Sequence, residues 1–301
     1  MINILVSFDA HYMPYTQIML FSLCKNTHES VKVWLLNQKL SDANCSKFRD
    51  FLLRKCQAEL EIIEMDASMF KGMPTGILPL EAYSRVIAQW LLPDELDRVL
   101  WLDGDIIVNG DVSAFYHQDL EDYYCVACKD NWSDTTFIKE HQVDMGMSSS
   151  ENYFNSGVLL LNLVALRKKI SMQAVADACA LLKNRIRFAD QDVLNYLYLY
   201  HVKYADKYIY NCQRFGKKDE ERQVDYNKVL ILHYTGIRKP WDVRFFDRRA
   251  TYYWRTYVQC WKFRGVLHCV GFCIVGSCFY VLEKIMRTYF SGVYNKLKMR
   301  G

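Results

Sequence analysis

Asp103 and Asp105 stand two residues apart, directly after the apolar run Arg98–Leu102. Two carboxylates separated by one residue converge on a common centre when the chain turns between them, and Gly104 permits that turn. Their hard oxygen atoms suit a divalent cation such as Mn²⁺ or Mg²⁺, which in turn bridges phosphate oxygens. Three further groups could serve the same chemistry. His233 follows the apolar run Val229–Leu232 and opens His-Tyr-Thr-Gly-Ile-Arg-Lys-Pro-Trp. Its imidazole could complete a cation's coordination, Gly236 allows close backbone approach, and Lys239 offers phosphate a point charge. Asn155 lies in Asn-Tyr-Phe-Asn-Ser-Gly (152–157), read as an amide and a small turn before the strand-like run that follows. Asp190, Gln191 and Asp192 open the helical pattern Asp-Gln-Asp-Val-Leu-Asn-Tyr-Leu, where polar side chains could face a sugar. Each has an ordinary alternative: His233 as a satisfied core histidine, Asn155 as a turn former, Asp190 as a helix N-cap.

These residues need elements to hold them, and strand and helix signals alternate over the first 110 residues. Asn3–Phe8 reads as a short buried strand, Val31–Leu36 and Leu60–Met65 as two more strands, and Arg98–Leu102 as a nearly continuous apolar strand. Pro14 opens one helix, Ser41 caps another to about Cys56, and a third is expected near Leu80–Leu92, ended by Pro93. Such alternation predicts a parallel sheet covered by helices. Ligands of open parallel sheets gather beyond the carboxyl ends of the strands, which is where Asp103 falls. Asp66–Pro79, with two Pro and two Gly, reads as a surface loop.

The blocks Phe8–Tyr12, Ala82–Arg85, Leu100–Asp105, Tyr153–Leu163, Asp190–Asp192 and His233–Trp241 together resemble glycosyltransferase family 8, in particular its bacterial lipopolysaccharide galactosyl- and glucosyltransferases. The resemblance covers residues 1–245. It implies a GT-A fold, an α/β sandwich with a Rossmann-like mixed sheet flanked by helices. It also implies a retaining, Mn²⁺-dependent enzyme moving a hexose from UDP-galactose or UDP-glucose to a glycan or lipid-linked acceptor in surface-glycan synthesis. By motif position Asp103, Asp105 and His233 would hold the metal, with Gly104 between them at the donor. Asp9 would contact uracil, with His11 standing where the family usually has Asn. Arg85 would reach the donor sugar and phosphate, Asn155 and Asp190 would hold donor hydroxyls, and Gln191 would lie under the anomeric carbon. Asp130 is implied as another sugar contact, and Gly236 with Lys239 as the diphosphate clamp. An amide oxygen lacks the charge of a good nucleophile, so front-side attack is expected, with double displacement through Asp190 or Asp192 as the alternative. A glycogenin-like self-glucosylating protein and a degenerate sugar-nucleotide binder are the rival readings.

Composition sets the frame. With 301 residues, 51% hydrophobic and 15% aromatic, the chain can bury a large core, which excludes intrinsic disorder. Its 11 Cys sit mostly in apolar runs, and the lone Cys125/Cys128 pair reads as buried filler in a reducing cytoplasm. The N-terminal apolar stretch ends at Asp9 without a basic region, so no signal peptide is expected. A net charge of +4 conceals an asymmetry: residues 261–301 carry +6, leaving the rest at −2. Nucleic acid is therefore not the expected partner. Residues 246–301 are expected to form a helical, basic and aromatic tail that lies on the inner face of an anionic membrane. Val266–Leu282, 17 residues without a formal charge, is marginal as a spanning segment.

Overall fold

The apolar runs become strands, and the computed structural model pairs seven of them into one mixed sheet. The structure describes residues 1–65, 84–213, 224–245, 247–262 and 264–276. The expected loop Asp66–Pro79 and the basic residues beyond 276 lie outside them.

In chain order the strands are β1 (Ile2–Val6), β2 (Val31–Asn37), β3 (Glu59–Glu64), β4 (Arg98–Leu102), β5 (Ile106–Val108), β6 (Cys125–Lys129), β7 (Phe154–Asn162), β8 (Val202–Ala205) and β9 (Ile231–His233). The large sheet has the order β3-β2-β1-β4-β7-β6-β8. β1 to β4 pair in parallel, as the alternation of signals predicts. β7 runs antiparallel to both β4 and β6, while β6 and β8 pair in parallel. The direction of β7 has a functional consequence. Its first residues lie at the same end of the sheet as the last residues of β1, β4 and β6, so Asn155 meets Asp130 there, and the Gly157 carbonyl accepts from Asp103 N at 2.9 Å. All nine β7 residues are buried, as expected of a central strand covered on both faces.

Asn155, Ser156 and Gly157 lie inside β7, not in a turn before it. The departure has a local cause: β6 shifts register between Ala127 and Cys128, so Cys128 pairs with Asn155 and the strand extends to Phe154. Ser41 caps its helix as expected, its hydroxyl accepting from Asn44 N at 3.4 Å. The segment expected as one helix to Leu92 instead bends at Ile87, and only Ala88–Leu91 continues. Cys125 and Cys128 are buried in β6, and burial raises both thiols above their ordinary pKa.

Two compact units divide at His233/Tyr234. Within the second, the Tyr234 hydroxyl donates to the Arg249 carbonyl at 2.7 Å, and Arg249 forms an ion pair with Asp247 at 2.7 Å. Trp254, on the helix Ala250–Trp261, packs on Phe272 with ring centroids 4.4 Å apart. Residues 264–276 are helical and expose Val266, Leu267, Val270, Ile274 and Val275. Among the described residues no helix is long and apolar enough to cross a membrane.

Candidate active site

The carboxylate pair sits where two sheets meet. β4 ends at Leu102, the chain passes through Asp103, Gly104 and Asp105, and β5 begins at Ile106. β5 pairs antiparallel with β9, placing Ile106 opposite His233. This register brings together groups more than 120 residues apart in sequence. The candidate ligand atoms of Asp103, Asp105 and His233 lie within 4.8 Å of one another. His233 Nε2 is 3.3 Å from Asp105 Oδ1 and 3.8 Å from Asp103 Oδ2.

Hydrogen bonds anchored in the backbone fix how these groups point. The Gly157 N–H can only donate, so the Asn155 atom 3.1 Å away is its carbonyl oxygen. The same oxygen accepts from Asn211 Nδ2 at 3.0 Å, which turns Asn211 Oδ1 toward His233 Nδ1 at 2.9 Å. His233 therefore carries its proton on Nδ1 and presents Nε2 to the carboxylates, the form that ligates a metal. Asp103 Oδ1 accepts from Trp101 Nε1 at 2.9 Å and pairs with Arg85 at 3.1 Å, leaving Oδ2 on the His233 side. Gly157 is required by space, because a Cβ there would collide with the His233 ring and lie 2.7 Å from Asp103 Oδ2. Two carboxylates and one imidazole form a donor set that fits a hard to borderline divalent cation.

Arg85 joins this cluster to a second one. Its guanidinium lies over the Trp101 ring at 4.4 Å and pairs with Asp190 Oδ2 at 2.8 Å. Burial works against its charge, but Asp103, then Asp190 and Asp105, outweigh this and raise its pKa. Asp190 is pushed up to about 6, mainly by burial; Arg85 opposes that shift and Asp103 adds to it. The Gln191 amide oxygen accepts from Ser156 N at 3.0 Å and from Asn155 Nδ2 at 3.1 Å. Asn155 Nδ2 also reaches Asp130 Oδ2 at 3.2 Å, and burial raises the Asp130 pKa. Asp103, Asp105, His233, Arg85, Asp130, Asn155, Asp190 and Gln191 thus form one continuous polar network. Trp132 and Phe188, both partly exposed, follow Asp130 and precede Asp190 by two residues and offer apolar faces.

Asp9 stands apart from that network, exposed after β1, its Oδ1 accepting from Tyr12 N at 2.8 Å. His11 is exposed and packs edge-on to Tyr15. In the second unit Gly236 has φ +92°, a conformation that favours glycine, and Lys239 Nζ donates to the Tyr234 carbonyl at 2.8 Å. Asp192, with Asp190 one of the two alternative nucleophiles, is fully buried and its oxygens already accept four donors. Sequence reasoning missed Asn211, which has no motif of its own. It also missed Tyr12, whose phenol is held protonated by burial and by the Asp105 and Asp103 carboxylates. Tyr12 at least lies within the Phe8–Tyr12 block.

A mixed sheet with an acidic cluster and a polar network at one end of its strands matches the GT-A fold of glycosyltransferases. LgtC, a galactosyltransferase solved with donor and acceptor sugar analogs, superposes with a TM-score of 0.71 at 23% identity, over 85% of this chain and 95% of that one. Residues 3–244 match the model of glycosyl transferase family 8, and the chain belongs to that family. A lipopolysaccharide 1,2-glucosyltransferase of Escherichia coli K12 is 27% identical over 80% of this chain and 72% of its own length. A putative glycosyltransferase of Haemophilus influenzae is 24% identical over 79% and 72%.

Proposed function

We propose that the protein is a retaining glycosyltransferase that moves galactose or glucose from a UDP-sugar to a glycan or lipid-linked acceptor in lipopolysaccharide or other surface-glycan synthesis. The observation that carries this reading is the Asp103–Asp105–His233 cluster, tied through Arg85 to the sugar-sized group of Asp130, Asn155, Asp190 and Gln191. The printed names of the relatives, lipopolysaccharide glucosyltransferases among them, support the substrate class. Residues 1–245 would be the catalytic domain.

The three ligands would hold Mn²⁺, or Mg²⁺ as the other hard cation, and the metal would supply Lewis-acid stabilisation of the departing diphosphate. Arg85 adds a fixed positive charge on the donor side. Asp190 and Asp130 present acceptors to sugar hydroxyls, and Asn155, whose two amide N–H groups go to Asp130 and Gln191, holds that group together. The bond from sugar C1 to the phosphate oxygen breaks. The acceptor oxygen bonds C1 on the same face, and its proton passes to the leaving phosphate. Both lone pairs of the Gln191 oxygen are engaged and Asp192 is sealed in the core, which favours this front-side route. The apolar faces of Trp132 and Phe188 suit the acceptor sugar. The tail residues 246–301 would rest on an anionic cytoplasmic membrane face, with Val266, Val270 and Ile274 toward the lipid.

A panel of UDP-sugars with Mn²⁺, scored for UDP release with and without glycan acceptors, tests the reading. Release from one hexose donor, abolished in Asp103→Asn, is expected. Absence of release from every donor would overturn it, and sugar appearing on the protein itself would point to the self-glucosylating alternative.

A further inference from the structure

Beneath Asp190 and Gln191 lies a buried polar cluster for which the proposed chemistry has no use. Asp192 and His141 are fully buried, and Tyr153 is as well. Asp192 Oδ1 accepts from His141 Nε2 at 2.8 Å and from the Tyr153 hydroxyl at 2.5 Å. Its Oδ2 accepts from the backbone N–H groups of Arg187 at 2.7 Å and Phe188 at 2.8 Å. Every lone-pair direction of the carboxylate is therefore committed to a donor. His141 Nδ1 has no hydrogen-bond partner among the described residues, so the ring proton sits on Nε2, facing Asp192.

These contacts hold a turn that would not keep its shape alone. Ala189 has φ +50° and ψ −128°, a conformation disfavoured for any residue with a Cβ. Such backbone persists only where its surroundings over-determine it, and they cluster at functional sites. Here the N–H groups of the two preceding residues are tied down by Asp192, and Asp190 is pulled the other way by Arg85. The helix Thr136–Asp144 clamps the same turn from outside: Asp144 pairs with Arg187 at 3.0 Å, and Phe137 meets Phe188 edge-on.

We propose that His141, Tyr153 and Asp192 are positioning residues that hold the Arg187–Gln191 turn, and so aim Asp190 and Gln191 at the donor sugar. The assignment of an effect on turnover rests on the glycosyl-transfer reading; the anchoring of the turn does not. In this arrangement Asp192 acts as an anchor, not as a second nucleophile. The cation ligands are carried by other elements, Asp103 and Asp105 by the connection from β4 to β5 and His233 by β9, so loosening the turn should slow turnover while leaving cation and UDP binding intact.

Tyr153→Phe removes one hydroxyl and keeps the ring, and His141→Ala removes the second donor. His141→Gln restores an N–H at similar reach. Two readouts separate the claims: hydrogen exchange at the Arg187 and Phe188 amides, and kcat against KM for UDP release. Tyr153→Phe and His141→Ala should speed exchange of both amides at least tenfold and lower kcat at least tenfold. KM and the Mn²⁺-dependent affinity for UDP should stay within twofold, and His141→Gln should recover most of both losses. Should His141→Ala fail to fold, Tyr153→Phe decides. Unchanged exchange in Tyr153→Phe overturns the anchoring whatever the activity. Faster exchange with unchanged kcat overturns the role in catalysis. A wild type that releases no UDP from any sugar defeats the donor reading, while the exchange data still decide whether the cluster holds the turn.

Discussion

At the scale of single residues, the candidate site depends on side chains whose orientation is set by their neighbours. Asn211 is the plainest case, because its amide donates to Asn155 and its oxygen holds the proton of His233 on Nδ1. Asn211→Leu should leave the fold intact and weaken Mn²⁺ binding by roughly 10–100-fold, the usual cost of losing such a partner; isothermal titration would measure it. Asp190 gives a pH signature. In the cation-free protein its protonated form contributes stability that is fully present below the ordinary carboxylate value. That stability is lost as the pH rises through about 6. Turnover should change in the opposite sense, rising through about pH 6 as the carboxylate forms to accept a sugar hydroxyl. Asp190→Asn should lower kcat/KM and flatten that limb; a pH–rate profile that keeps its shape in the variant would rule out this assignment.

At the scale of elements, short connections decide where the chemistry sits. Gly157 lies where β7 passes the acidic pair, and Gly157→Ala should abolish cation binding by displacing His233 or Asp103, as a metal titration of the folded variant would report. Arg167, on the helix Leu163–Lys169, donates to the carbonyls of Gln89, Leu92, Pro93, Asp94 and Leu96. One guanidinium thus ties down the connection into β4. Arg167→Ala should destabilise the protein by about 2–4 kcal/mol, the scale of a lost charged hydrogen-bond network, as urea unfolding would show. The strands at this scale were legible in the sequence: Val99–Leu102 is apolar without interruption and is followed by an acid. The placement of Asn155 within β7 was not, because a register shift in the partner strand extends β7 past the expected turn.

At the scale of the whole molecule, charge and apolar exposure divide along the chain. The acids of the −2 region include the candidate cation ligands, and the +6 segment follows them. Val270 and Ile274 stand 52% and 60% exposed, one helical turn apart on the same face. Val270→Glu combined with Ile274→Glu should release the protein from anionic vesicles in a sedimentation assay and leave UDP release unchanged. Retention on the vesicles would remove this helix as the anchor.

Sequence by itself determined the strand that ends at Asp103, the helix that begins at Asp190, the family and the charge asymmetry. Each of these is written in neighbouring residues, through apolar runs, turn formers and motif spacing. Tertiary structure alone decided that Asp105 meets His233, that Asn211 sets its tautomer, and that Asp192 is an anchor buried under the turn. Those relations join residues tens to more than a hundred positions apart. They follow from the antiparallel run of β7 and the pairing of β5 with β9, and strand pairing between distant segments leaves no local trace in sequence.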